Sequence, residues 1–379
     1  MKIYSYITVL LFYTSLFSIQ LNAQKDESLL LVMDKHKGPV YAASFSPDGK
    51  IIASGAEDNL IYLWSTETGE IMKTLTGHNS KVQFIEFSPD GNSLVSAGGT
   101  QILLWNLETG TYRLFSGHRT HIWNARFSPD GRQLISTDLL NKFRLWDIET
   151  ASIIHSFEGH EKSVLAVAFS PDRKYIASGS LDQTIKIWDT ETKEMIRSIE
   201  AHGGNIYSLD FSPDGKLLAS ASLDESIKLW DVATGKIVKL LSGHQYAVMY
   251  VRFSPDNKFL VSASYDKTAK LWEVATGNCI YTFIDQTDVL NVADFSYDGE
   301  YIVTGANDGT VMMYEMSPRF FAEFYFWDEL KAEMDQSGLF EEKQRSESRQ
   351  DYEARKEKAD QFKKELYQKY YNKYLEKNF

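Results

Sequence analysis

The chain repeats itself seven times at steps of 40 to 42 residues, and no other feature limits its fold as strongly. Self-similarity at such a period points to stacked or ring-arranged units, because one unit cannot bury its apolar face alone. Three markers keep the beat independently. Trp64, Trp105, Trp146, Trp188, Trp230 and Trp272 close strand-like runs, and Tyr314 takes the seventh slot. Phe45, Phe87, Phe127, Phe169, Phe211, Phe253 and Phe295 each precede a turn. His36, His78, His118, His160, His202 and His244 form the third series, with Gln286 completing it.

Every unit has one grammar. An apolar run ends at the marker Phe, and a turn such as Ser46-Pro47-Asp48-Gly49 follows. Pro presets φ there and Gly accepts a positive φ. Next come a run like Leu217-Leu218-Ala219-Ser220, a turn carrying Asp224, and Ile227-Lys228-Leu229-Trp230. That last stretch alternates apolar and polar residues, the period of a strand. Ala233-Thr234-Gly235 then leads into a fourth strand over 236–241. Four short antiparallel strands per period make one blade of a propeller.

The paired residues Gly77-His78, Gly117-His118, Gly159-His160 and Gly243-His244, with Trp146-Asp147, Trp188-Asp189 and Trp230-Asp231, resemble the WD-repeat family. The resemblance covers residues 28–316. It implies an all-β fold, a seven-bladed WD-repeat β-propeller followed by an α-helical C-terminal extension. The run Leu29-Leu30-Leu31-Val32-Met33 sits in the phase of Ile71-Met72-Lys73-Thr74-Leu75. The N-terminus is therefore expected to supply the outer strand of the last blade, next to Val311–Tyr314, so that no sheet edge is left unpaired.

Each full unit also carries a His, a Ser, an Asp and a Trp in fixed phase. The sets are His36, Ser54, Asp58 and Trp64; His160, Ser178, Asp182 and Trp188; His202, Ser220, Asp224 and Trp230; and His244, Ser262, Asp266 and Trp272. Ser, His and Asp together invite a hydrolase reading. Repetition argues against it, since an enzyme needs one preorganised site and not the same set in blade after blade. The resemblance implies a structural hydrogen-bond network inside each blade, with Trp giving its one N–H. Blade 2 has Gly99 in the Asp slot, blade 3 has Leu140 with Asp138 two residues earlier, and blade 7 has Gln286, Thr304, Asp308 and Tyr314. These three blades are expected to lack the full network.

The residue four before each marker Phe starts an inner strand at one rim: Tyr41, Gln83, Trp123, Leu165, Tyr207, Met249 and Asn291. The residue before the turn Asp lies near the same rim, as Tyr265 does. In WD-repeat propellers, the resemblance implies, these positions form a recognition surface. Tyr41, Trp123, Leu165, Tyr207, Met249 and Tyr265 are large and varied, whereas the Phe series is uniform. Aromatic and Met side chains suit interface hot spots, and they are the expected protein-binding set. The alternative is that some of them pack under loops at the channel mouth.

Beyond the repeat, residues 318–379 read as a helical tail. Phe320, Phe321, Phe324, Tyr325, Phe326 and Trp327 make an aromatic-heavy segment, Gly338 marks a break, and Ala359, Phe362, Leu366, Tyr370 and Tyr374 recur at helical steps. The tail either packs back on the propeller or serves as a docking arm. At the other end, Lys2 and the charge-free run 3–19, ending at Leu21-Asn22-Ala23, match a signal peptide over residues 1–23, with an uncleaved anchor as the alternative. The expected protein is an exported member of bacterial type, periplasmic or extracellular, with a monomeric propeller and no integral span in the mature chain.

Net charge is −12 with Lys and Arg dispersed, which argues against a nucleic-acid partner. Cys279 is the only cysteine, so no intrachain disulfide can form, and it reads as a small buried residue. No cofactor or metal is expected. The expected function is a non-catalytic scaffold that binds partner proteins on the propeller face and through the tail. A carbohydrate- or envelope-binding module, or an enzyme working in the central funnel, is the alternative.

Overall fold

The computed structural model describes residues 27–378 apart from 342, 343, 345 and 346, so the signal segment read over 1–23 lies outside the described residues. Within them, strands β1 (Leu29–Met33) to β28 (Val311–Glu315) form seven four-stranded antiparallel sheets. Six sheets are simple meanders in chain order. The seventh runs β1-β28-β27-β26, where β26 is Leu290–Phe295 and β27 is Tyr301–Ala306. The strand β1 pairs with β28 through Leu31↔Met313, Val32↔Met312 and Met33↔Val311, which joins the two ends of the repeat. Closure of this kind leaves no blade with an unpaired inner member.

The turns explain the strand ends. In Ser46-Pro47-Asp48-Gly49 the Ser46 hydroxyl donates to Asp48 at 2.6 Å and accepts from the Ile51 N–H at 3.0 Å. Gly49, at φ +70°, donates its N–H to the Ser46 carbonyl. The same Ser–Asp pair recurs at Ser88–Asp90, Ser128–Asp130, Ser170–Asp172, Ser212–Asp214, Ser254–Asp256 and Ser296–Asp298.

The core does not sit inside blades but between them. Ala42, Ala53, Ile61, Leu63 and Leu75 of blade 1 pack on Val82, Ile85, Phe87, Leu94 and Trp105 of blade 2, and six further clusters fill the other inter-blade wedges. Close approach is needed there. A Cβ built on Gly55 would lie 2.5 Å from a Val82 methyl, so that position admits no side chain without moving the neighbouring blade.

The tail forms helices α1 (Pro318–Ser337) and α2 (Arg349–Asn378) and packs back on the propeller. Ser317 caps α1 by accepting the Arg319 N–H, Pro318 suits the first turn, and Gly338 at φ +63° ends the helix. Phe320 stacks on Tyr281 of the outer strand of blade 6, with ring centroids 3.8 Å apart. Phe321 meets Phe259 and Tyr374. Ala359, Leu366, Tyr370 and Tyr374 are buried, as the helical spacing requires, and Phe362 is partly buried. Glu273, which follows Trp272 where three other blades have Asp, accepts hydroxyls from both Tyr325 (2.6 Å) and Tyr374 (2.5 Å). The extra methylene of Glu over Asp is what lets blade 6 reach the tail.

Candidate functional site

The repeated His–Ser–Asp–Trp sets form one hydrogen-bonded chain per blade. In blade 4 the Trp188 indole N–H donates to Ser178 Oγ at 2.8 Å, and Ser178 Oγ lies 2.8 Å from His160 Nε2. His160 Nδ1 faces Asp182 at 2.8 Å, and Asp182 also accepts the Glu161 N–H and the Thr184 hydroxyl. The proton assignment follows from the partners. Nδ1 faces a carboxylate and carries the proton, so Nε2 accepts from the Ser hydroxyl.

Burial lowers the pKa of His160, and that of His202 to about 4, so the rings stay neutral. Burial pushes Asp182 up, but its bonds from Thr184, the Glu161 N–H and His160 outweigh this and hold it at about 2. Each Ser is sealed, with its oxygen already engaged by Trp and His. Ser54, Ser178, Ser220 and Ser262 are fully buried, and no substrate carbonyl can reach them. The constellation is structural.

Blade 3 corrects an expectation. Asp138, the last residue of β11 (Gln133–Asp138), points inward and accepts from His118 Nδ1 at 2.7 Å, while Ser136 links His118 and Trp146. Arg144 donates to the same carboxylate at 2.9 Å. The carboxylate comes from the strand end and not from the turn, so a shift of two residues restores the network that phase counting denied. Blade 2 keeps the Trp105–Ser96–His78 links, but His78 Nδ1 has no partner among the described residues, and burial lowers this ring to about 4. Blade 7 builds an uncharged version. Gln286 donates to Thr304 at 2.9 Å and accepts from Thr310 at 2.7 Å, and Asp308 caps Thr287 and Thr310.

The rim is built by a bulge. In all seven inner strands the pairing slips by one residue after the first position, as between Val40↔Ala56 and Ala42↔Gly55. The residue skipped is Tyr41, Gln83, Trp123, Leu165, Tyr207, Met249 or Asn291. A bulge leaves its extra residue out of the ladder and re-aims its side chain. One backbone irregularity, repeated round the ring, thus gathers the rim positions.

Six of these seven positions, Tyr41, Gln83, Trp123, Tyr207, Met249 and Asn291, line a cavity of about 860 Å³, counted to its open mouth, together with Tyr265 and others. Trp123 and Tyr207 lie near-parallel with centroids 6.3 Å apart, reaching across blade 4. The Tyr41 hydroxyl donates to Glu57 at 2.8 Å, and burial with that carboxylate raises its pKa. Lys81 sits 4.4 Å from the centroid of the Tyr41 ring. Tyr265 is 42% exposed. Asn291 donates to Asn307, which holds that wall of amides in place.

Leu165 departs from the expectation. It is 2% exposed and does not line the cavity, to which blade 4 contributes no lining residue, so Leu165 presents no surface to a partner. Sequence reasoning missed Asn124, whose Oδ1 is buried at the cavity wall with no partner among the described residues. It also missed Arg144, whose counterparts in the other blades are Tyr62, Leu103, Lys186, Lys228, Lys270 and Met312, so that only its being the one Arg in the series could have signalled it.

Comparison with known proteins agrees with the architecture. Residues 137–316 match the family described as WDR3 first beta-propeller domain, and residues 27–65, 69–106 and 110–147 match WD domain, G-beta repeat. Protein HIR1 of Kluyveromyces lactis is 31% identical over 114 residues, 24% of this chain and 13% of that one. Protein HIR1 of Candida albicans is 34% identical over 104 residues, 22% of this chain and 12% of that one. The WD repeat-containing protein WDS homolog of Arabidopsis thaliana is 31% identical over 86 residues, 22% and 16% of the two chains. The match thus spans well under a fifth of each of these relatives, all of them eukaryotic. Both family matches lie within 27–316, so residues 1–26 and the helical tail stand outside them.

Proposed function

From a chain that is a seven-bladed propeller built of WD repeats, we propose a non-catalytic scaffold that binds a partner protein over its upper cavity. The observation that carries this reading is the bulge-aimed wall of Tyr41, Trp123, Tyr207 and Met249, joined by Tyr265. Large aromatic side chains around a concave, half-desolvated centre are what interface hot spots use. Beside them, Gln83, Asn291 and Asn307 supply uncharged hydrogen-bonding groups that orient a partner without a strong charge preference. The buried Ser–His–Asp sets supply no nucleophile, which supports binding over chemistry. The charge-free run 3–19 supports export, and N-terminal sequencing of the secreted protein is expected to start at Gln24.

The test is capture of partners by the full mature chain compared with the double variant Trp123→Ala, Tyr207→Ala. Loss of a hot-spot aromatic costs about 2 kcal/mol or more, roughly a thirtyfold drop in affinity. Melting temperature is expected to shift by only a few degrees, since both side chains line an open cavity. A matched pair on outer strands, Ile196→Ala with Val238→Ala, is expected to leave capture intact, as both side chains are half exposed far from the rim. Undiminished capture by the rim variant, or binding of glycans instead of protein on the same face, refutes the reading.

A further inference from the structure

The propeller holds a second axial cavity that shares no lining residue with the upper one. Its collar is apolar, made by marker phenylalanines such as Phe169 and Phe211, turn prolines such as Pro129 and Pro171, and Tyr297, which is 47% exposed. Its floor is the residue just before each marker Phe. There the ring carries Glu86, Arg126, Asp210, Arg252 and Asp294.

Hydrogen bonds in this floor are unevenly used. Arg126 Nη1 meets Asp210 Oδ1 at 3.2 Å, and Arg252 reaches Asp210 (3.4 Å), Asp294 (3.3 Å) and Glu86 (3.8 Å) from blade 6. The remaining carboxylate oxygens accept the Phe127 N–H, the Phe253 N–H and the Ser44 hydroxyl. Each carboxylate accepts at least one hydrogen bond, but the donors are not all used. Arg126 is 4% exposed, and its Nε and Nη2 have no partner among the described residues. Those two N–H groups lie on one edge of the guanidinium and point the same way, the edge that takes an oxygen acceptor with two parallel bonds.

Charge narrows the ligand. Two arginines face three carboxylates, a formal surplus of one negative charge. The floor therefore offers free donors but resists another anion. A neutral oxygen acceptor satisfies both conditions. We infer that the lower cavity binds an apolar group headed by an uncharged carbonyl, its oxygen taken by the Nε–H and Nη2–H edge of Arg126 and its body by the Phe–Pro collar. Both donor atoms are closed to bulk water. Binding of the head therefore requires the guanidinium to turn toward the cavity about its Asp210 contact.

A head-group series on the full mature chain tests this by titration calorimetry. Octanamide and N-acetylphenylalaninamide carry the neutral carbonyl on an acyl chain and on a peptide unit, so their ranking tells which source the cavity suits. Octanoate and octylammonium keep the tail of octanamide and change only the charge of the head. The neutral amides are expected to bind about tenfold more tightly than either ion, the worth of one buried hydrogen-bonded pair. Arg126→Gln is expected to abolish that preference, and Tyr297→Ala to weaken all four probes together. Ile196→Ala, half exposed on an outer strand, is expected to leave all four affinities unchanged. Octylammonium or octanoate bound as tightly as the amides overturns the inference, and so does indifference to Tyr297→Ala or no saturable binding of either amide. Should Arg126→Gln fail to fold, the head-group ranking and Tyr297→Ala decide alone.

Discussion

Asp182→Asn isolates what the intra-blade network contributes. The Asp182 side chain is 5% exposed and its carboxyl is held at about 2, against an ordinary value of 3.8. A depressed carboxylate stabilises the fold above its unfolded pKa, and the effect is lost as pH falls through the folded pKa. A difference of nearly two pH units corresponds to about 2.5 kcal/mol at neutral pH, since each unit is worth about 1.4 kcal/mol. At pH 3 the same linkage leaves about half of it, because the folded carboxylate is still mostly ionised while the unfolded one is mostly protonated. Urea unfolding of wild type and Asp182→Asn, followed by tryptophan fluorescence at pH 7, 5, 4 and 3, reads the difference directly. The gap is expected to be constant from pH 7 to 5 and to narrow below 4. Asp138→Asn in blade 3 is expected to cost at least as much, since it leaves the 7%-exposed Arg144 side chain without its carboxylate. A gap that does not vary with pH would show that Asn loses shape and not charge, and the linkage argument would fail. A harmless Asp138→Asn would restore the expectation that blade 3 lacks a network.

Three more outcomes follow from the same contacts. Wild-type stability is expected to fall as pH drops from about 6.5 toward 4, because six buried histidines stay neutral in the fold while unfolded His takes up protons, His78 and His202 retaining their neutral form down to about 4; a flat melting temperature over that window contradicts it. Glu273→Ala strips the buried Tyr374 hydroxyl and the part-buried Tyr325 hydroxyl of their acceptor, at about 1–3 kcal/mol for the buried one and less for the other, and is expected to free the tail; unchanged hydrogen exchange in Pro318–Ser337 and Arg349–Asn378 refutes this. Deleting residues 24–35 removes β1 and is expected to cause aggregation or early melting, and a full melting temperature would disprove closure by that strand.

Much of the fold was legible because it is written seven times. The marker Phe, His and Trp series set the number of blades, and the phase of Leu29–Met33 placed the closing strand, since local propensity and period agree in every unit. Helical spacing in the tail likewise picked out Ala359, Leu366, Tyr370 and Tyr374 as its inward face. Phase counting failed where one unit does its job from a different position. Asp138 serves His118 from a strand end, which no alignment of turns reveals.

What the sequence by itself determined is therefore whatever one repeat can encode: the blade, its turns, the relay from Trp through Ser and His to Asp, and the set of residues at one rim. Only the tertiary structure decided how different repeats meet. Leu165 is buried away from the cavity that Trp123 and Tyr207, of blades 3 and 5, line as a near-parallel pair, Arg252 spans the axis to carboxylates of blades 2, 5 and 7, and Glu273 takes hydroxyls from a tail up to 101 residues away. Those contacts depend on the curvature of a closed ring, which brings blade n to blade n+2 or beyond across the axis. Neither periodicity nor pairing within a sheet carries that distance, so the chemistry of the two cavities appears only once the ring is closed.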